Sequence, residues 1–273
     1  MIGTRAAGTR SGRLQAALLE LLRGPRHAGS GAIPTSIRFL FYELEQLGVL
    51  DKRGRRADLS EAVMALRRAG AVPWSWIVDE TRSLEDWAYR DSIRDYALAA
   101  ISVGRIDCWA GDPPPLILAE SRSLAGVLRP IARAYLCPVA ATNGQVGGFL
   151  HTDVIPALRR GQRVLYFGDE DLAGHQIEWN ARRVIEDATG ALAWERLALT
   201  AAQVREHDLP PIQKLDRRYK PPRAAQAYET EALSQTAVQD LLIARLDELL
   251  PEPIAAVQVR EQAERELVAS ALR

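Results

Sequence analysis

The sequence predicts an α/β protein: a mostly helical N-terminal domain, then a domain built on a parallel sheet. Three observations carry that expectation. After residue 115, short apolar runs alternate with longer amphipathic stretches, the pattern of strands joined by helical crossovers. The segment Gly111-Asp112-Pro113-Pro114-Pro115 blocks both helix and sheet and marks a boundary. Ahead of it, three helical patterns and only short extended pieces fill the first eighty residues. The expected domains are therefore 1–110 and 111–273.

The composition, 47% hydrophobic and 26% charged over 273 residues, is that of a globular protein with sizeable cores. No apolar run approaches ~18 residues and no signal-peptide pattern opens the chain, so no membrane association is expected. Cys108 and Cys137 form no C-x-x-C and read as buried free thiols of a cytoplasmic protein. The 35 basic and 35 acidic residues cancel, which argues against a protein that coats nucleic acid non-specifically. The balance is uneven, however. Residues 1–82 hold 13 Lys or Arg against 8 Asp or Glu, so this part is expected to touch any nucleic acid first.

In order, a helix over 11–23 is capped by Ser11 and stopped by Gly24-Pro25. A second runs from Thr35 or Ser36 to Gly48. A basic turn, residues 51–56, precedes a third helix that opens on the capping box Asp58-x-x-Glu61 and closes at Gly70. Extended pieces at 71–74 and 76–78 follow. Three helices and a small two-stranded element is the order of a winged helix, though any small helical domain fits the same pattern. A longer helix over 84–101 and a strand over 105–109 lead to the boundary. Beyond it come strands at 116–119, 138–142, 163–167 and 193–199, with helices at 121–135, 149–160 and 172–189 between them. Residues 200–222 read as mostly irregular, and two helices split by Pro251 finish the chain.

Two constellations carry chemistry. The run V-L-Y-F-G-D-E-D, residues 164–171, delivers Asp169 and Asp171 to the carboxyl end of a strand, where open α/β sheets keep their ligands. Alternate residues of an extended tip point the same way. The strand at 116–119 likewise ends in Glu120. Three hard oxygen donors suit Mg²⁺ or Mn²⁺; a D-x-D taken alone is more readily a turn or N-cap pair, and Glu120 with the glycines reverses that balance. The second helix places Ile37, Leu40, Phe41, Leu44 and Leu47 on one buried stripe, with Tyr42 offset from Ile37 by about 140°. Arg38 lies one turn before Tyr42. A phenol beside a guanidinium can attack a phosphodiester; a boundary tyrosine with a packed ring is the plainer alternative.

Together these residues resemble the topoisomerase VI-like family, in its DNA-cleaving component. Asp169-x-Asp171, Glu120 and the turn Thr142-Asn143-Gly144 resemble the family's Toprim domain. Arg38-x-x-Phe41-Tyr42 is similar to its catalytic segment, and Tyr228-Glu229-Thr230-Glu231-Ala232-Leu233 to its late E-x-E-A-L signature. The likeness extends to mini-A topoisomerases and to the nuclease component of the Wadjet plasmid-defence system. It implies a winged helix ahead of a Toprim domain, and Tyr42 as nucleophile with Arg38 as electrostatic partner. Glu120, Asp169 and Asp171 would hold Mg²⁺. It implies a homodimer acting on double-stranded DNA at the nucleoid, with a separate ATPase or SMC-like partner. Arg53, Arg55, Arg56, Lys214, Arg217 and Arg218 are candidates for phosphate contacts. The chain departs from the family in its Phe-Tyr pair and shorter length. Three activities stay open: transesterification through a 5′-phosphotyrosyl link, metal-dependent hydrolysis with Tyr42 incidental, and DNA binding without cleavage.

Overall fold

A computed structural model describes residues 9–24, 27, 34–50, 56–78, 89–144, 148–159, 161–216 and 223–272. The described residues form an α/β protein with ten α-helices and a four-stranded parallel sheet, accompanied by two two-stranded sheets.

Helices α1 (Arg10–Arg23), α2 (Ile37–Gln46) and α3 (Arg56–Arg68) enclose a cluster of Leu18, Leu22, Leu40, Leu44 and Leu59. Strands β1 (Thr35–Ser36) and β2 (Ile77–Val78) pair in parallel across these helices. Helix α4 (Ile93–Val103) leads to the central sheet. That sheet holds β3 (Leu116–Ala119), β4 (Val139–Ala141), β5 (Val164–Phe167) and β6 (Trp194–Ala198) in the order β4-β3-β5-β6. Both of its faces are covered, which is why β3 and β5 are uninterrupted apolar runs. Ile117, Leu165 and Phe167 pack against Leu124 and Leu128 of α5 (Arg122–Ala134) and Val238 and Leu242 of α9 (Gln235–Leu249). Leu118 and Tyr166 face the other way, onto Ala181 and Ile185 of α7 (Leu172–Thr189) and Leu150 beside the short α6 (Ile155–Ala157). After α8 (Ala201–Glu206), strands β7 (Ile212–Asp216) and β8 (Arg223–Ala227) form an antiparallel pair, and α10 (Ile254–Ala271) closes the described chain.

Several local expectations are corrected. Thr9, not Ser11, caps α1: its hydroxyl accepts from the Gly12 N–H at 3.0 Å. Helix α3 starts at Arg56, two residues before Asp58, so Asp58 lies in its first turn instead of capping it. The extended pieces at 71–74 and 76–78 do not pair with each other; residues 74–76 are a 3₁₀ turn, and β2 reaches back to β1. Residues 89–92 are not helical, because Ser92 caps α4 through the Asp95 N–H; 84–88 lie outside the described residues. Residues 105–109 are no strand: the Asp107 carboxylate accepts from the backbone N–H groups of Trp109 and Gly111, a local turn that competes with pairing. The helix foreseen over 149–160 ends at Ala157, its first turns being π-helical. Strand β7 falls inside the stretch 200–222 expected to be mostly irregular, and β8, its partner, lies just beyond that stretch.

Candidate functional site

Strands β3 and β5 are neighbours in register, Ala119 opposite Phe167, so their carboxyl ends fall side by side. The Glu120 N–H donates to the Phe167 carbonyl at 2.8 Å, and the Asp169 N–H donates to Glu120 Oε2 at 2.9 Å. The two expected strand-end acids are therefore linked through backbone and side chain. Asp171 both caps and projects. Its Oδ1 accepts from the Gly174 N–H at 2.7 Å as the N-cap of α7, while its Oδ2 accepts from Lys214 Nζ at 2.9 Å.

A third segment completes the cluster. The backbone of Tyr228 pairs with that of Glu170 in a two-way bridge, 2.9 and 3.2 Å, which seats residues 228–232 against the acid loop. Thr230, fully buried, donates to Asp169 Oδ1 from its N–H at 2.9 Å and its hydroxyl at 3.3 Å. Glu229 and Glu231 flank it on either side. Arg38 reaches from α2 to both, 2.9 Å to Glu229 Oε2 and 3.1 Å to Glu231 Oε1. Ser121 Oγ also donates to Glu231 Oε1 at 2.9 Å. Lys214 Nζ stands 2.9 Å from Asp171, 3.6 Å from Asp169 and 3.7 Å from Glu229. Asp169, Asp171, Glu229 and Glu231 thus share two cations, and Glu120 joins them through the Asp169 N–H.

The charge imbalance marks the protonation equilibria. Burial, then Asp169 and Asp171 nearby, push the Glu120 carboxyl up to about 7. Burial also pushes Glu231 up to about 7, against the pull of Arg38 and helped by Asp169. Asp171 moves the other way: burial opposes its charge, but the Lys214 ammonium and the Gly174 N–H hold it below the usual carboxylate range. Burial works against the Arg38 charge, and Glu231, Glu229 and Asp169 outweigh it, raising that guanidinium further.

The surrounding frame is close-fitting. A Cβ on Gly174 would collide with the Asp169 carbonyl and lie 3.2 Å from Glu120 Oε2. Arg196 on β6 binds the backbone from below. Its Nη1 donates to the carbonyls of Gly168 (2.8 Å) and Leu199 (2.7 Å), its Nη2 to that of Asp169 (3.2 Å) and its Nε to Glu178 (2.8 Å). His175, to which the sequence pattern assigns no role, is half exposed and lies 3.1 Å from Glu170 and 3.4 Å from Arg196. Beside the acids, Arg38, Glu120, Asn143, Asp169 and Glu231 line a cavity of about 140 Å³.

Among the described residues, no group of three or more His, Cys, Asp or Glu side chains is spaced to hold a metal ion. The acids instead engage Lys214 and Arg38. The donor set still fits a hard divalent cation: every group is a carboxylate oxygen, and the acids outnumber the cations. Glu120 lies beside Asp169, joined to its N–H, and Asp169, Asp171 and Glu229 stand around Lys214.

Tyr42 does not stand on an exposed face. It is 5% exposed within the N-terminal apolar cluster, its ring edge-on to Phe41 at 5.7 Å. Helix α2 lies between two cores, Phe39 in the sheet-side cluster and Leu40, Phe41, Tyr42 and Leu44 in the N-terminal one, so both sides are covered. The ring borders a narrow pocket of about 170 Å³ with Gln46, Pro210, Ile212 and Ala232. Arg38 turns to the glutamates. Lys214 sits on a strand facing acids rather than on a basic loop. Arg53, Arg55, Arg217 and Arg218 lie outside the described residues, as does the side chain of Arg56.

Glu229 and Glu231 join the site although sequence reasoning did not place them there. Their spacing, two acids one residue apart like Asp169 and Asp171, was the available signal. Neither a scan against protein-family models nor a search of curated proteins finds a match to this chain.

Proposed function

We propose that the chain is a divalent-metal-dependent enzyme that cleaves phosphodiester bonds of double-stranded DNA at the carboxylate cluster, with water as the attacking group. One observation carries this reading. Glu120, Asp169, Asp171, Glu229 and Glu231 converge at the ends of adjacent parallel strands and, among the described residues, have only Arg38 and Lys214 to balance them. Glu120, Asp169 and Asp171 would hold Mg²⁺ or Mn²⁺, which supplies Lewis-acid polarisation of a phosphoryl oxygen. Thr230, Gly174 and Arg196 fix the acids so that the donors are pre-arranged. Arg38 and Lys214 are the cations nearest a phosphate bound there. The double-stranded substrate and a homodimer that cuts both strands follow from the resemblance to the topoisomerase VI-like family.

A second reading, transesterification by Tyr42, draws on its place one turn after Arg38, which touches the cluster. The burial of the ring favours water, since the phenol would have to leave its packed setting to reach a phosphate. Denaturing electrophoresis of labelled DNA with the protein and Mg²⁺ separates the two. The expected products are free 5′-phosphate ends, retained in Tyr42→Phe and lost in Asp169→Asn. A covalent protein–DNA adduct that disappears in Tyr42→Phe would establish the second reading instead.

A further inference from the structure

Among the described residues, the polar side chains around the acid cavity are, with one exception, engaged with one another. Arg38 is bound to Glu229 and Glu231, Glu120 to the Asp169 N–H, Asp169 to Thr230 and Ser121 to Glu231. Lys214, close by, is taken by Asp171, Asp169 and Glu229. The exception is Asn143. It lines the same cavity, is exposed, and its amide bonds to no other described residue. The backbone fixes its place. Strand β4 pairs with β3 so that Ala141 stands opposite Ala119. The pairing runs one residue further: the Thr142 N–H donates to the Ala119 carbonyl at 2.9 Å, and the Thr142 hydroxyl to the Glu120 carbonyl at 3.4 Å. Asn143 follows at φ +53° and Gly144 at φ +97°. Both angles are left-handed, where glycine and asparagine are best tolerated. The turn is thereby tied to the strand end that carries Glu120.

We infer that Asn143 is a substrate-binding residue whose amide donates to a non-bridging oxygen of the scissile phosphate. The inference rests on the proposed phosphodiester cleavage and adds the group that receives the phosphate. A phosphate approaching this acid cluster needs donors to offset the repulsion. Arg38 and Lys214 would each have to leave a carboxylate to serve fully, whereas the Asn143 amide has two N–H donors and breaks no bond within the protein to use them. A carboxylate in its place would add to the repulsion. The amide is also uncharged, so it can stand beside the acids without pairing to them. Negative charge is spread over the phosphoryl oxygens as the bond to the leaving oxygen breaks, and a donor fixed there ahead of the reaction favours that state.

Two variants test the assignment with labelled duplex DNA. Asn143→Gly keeps the left-handed turn and removes the amide. Asn143→Asp keeps the size and replaces the donor with a carboxylate. Both should cut about 100-fold more slowly than wild type, the loss that follows removal of one such donor. Asn143→Gly should melt and bind Mn²⁺ as wild type does. A substrate with sulfur in place of one non-bridging oxygen, cut in Mn²⁺, reads the contact itself, because sulfur accepts hydrogen bonds poorly. Wild type should cut one diastereomer about tenfold more slowly than the oxygen substrate. Asn143→Gly, measured against its own rate on oxygen, should lose that penalty, since the two changes remove the same bond. If wild type cuts DNA but shows no sulfur penalty, or Asn143→Gly keeps the full rate or the full penalty, the assignment is overturned and the cleavage reading stands. If wild type cuts no DNA in Mg²⁺ or Mn²⁺, both fall.

Discussion

Lys214 Nζ lies 2.9 Å from Asp171 Oδ2, with Asp169 and Glu229 inside 4 Å of the same ammonium. A strand on the β7–β8 ribbon thus inserts a protein cation among the acids that would hold a metal. On the proposed reading, the ammonium and a dication would compete for one set of oxygens.

Removing that competitor should strengthen metal binding. Lys214→Met is expected to tighten Mn²⁺ binding about tenfold in calorimetry, since an ion pair at this range in a half-buried setting is worth about 1.4 kcal/mol against a rival cation. The metal-free variant should melt lower than wild type, because three carboxylates lose their shared partner. Unchanged or weaker Mn²⁺ affinity would contradict the competition.

Metal affinity should rise with pH through neutrality. Glu120 and Glu231 hold their protons up to about 7, and a divalent ion must displace the Glu120 proton to use that carboxylate. Mn²⁺ should therefore bind more weakly at pH 6 than at pH 8, with proton release on binding that shrinks as pH rises. Titrations in buffers of different ionisation enthalpy measure that release directly.

The same shift makes a stability prediction of definite sign. The native Glu120 carboxyl keeps its proton to about 7, whereas in the unfolded chain it loses it near its ordinary value of 4.5. Between those pH values the native state binds more protons, so stability falls as pH rises and the full penalty is present above 7. In EDTA, Glu120→Gln should raise the melting temperature by a few degrees at pH 8 and leave it unchanged at pH 4. Mg²⁺ should stabilise wild type at pH 8 far more than the variant.

Gly174→Ala should damage both stability and metal binding. Its methyl group has to push the Asp169 carbonyl or the Glu120 carboxylate aside, an overpacking strain of about 1–3 kcal/mol. A lower melting temperature together with lost Mn²⁺ binding is expected. A variant that melts lower but binds Mn²⁺ normally would separate the fold of this turn from the acids.

Arg196→Lys should behave almost like Arg196→Ala. The guanidinium spans three backbone carbonyls and Glu178 at once, and a single ammonium cannot reproduce that fork. Leaving those groups without their donor should cost about 2–4 kcal/mol, read from chemical denaturation of both variants.

The central sheet is legible in the sequence because β3 and β5 are covered on both faces and so are apolar without interruption. Glu120, Asp169 and Asp171 are legible for the related reason that each closely follows such a run. The β7–β8 ribbon is not. On β7, Ile212 meets the N-terminal apolar cluster while Lys214, two residues on, meets the acids. One apolar and one charged residue at alternate positions remove the period-two signal that betrays a half-buried strand. The partnership of Arg38 with Glu229 spans 191 positions and leaves no local trace. Tyr42 escapes a reading based on one buried stripe, because the cluster that takes Leu40, Phe41 and Leu44 extends around α2 to its ring as well. At 105–109 the Asp107 side chain captures backbone donors that a strand would have used.

The bond from Arg38 to Glu229 and Glu231 ties the helical front of the chain to its acids by a stiff strut. Arg38 and the buried ring of Tyr42 ride on successive turns of α2, so a tilt of that helix would do two things together: free the glutamates from their counter-charge and unseat the phenol. Any load applied to the front half is thereby felt as a change of field at the strand ends.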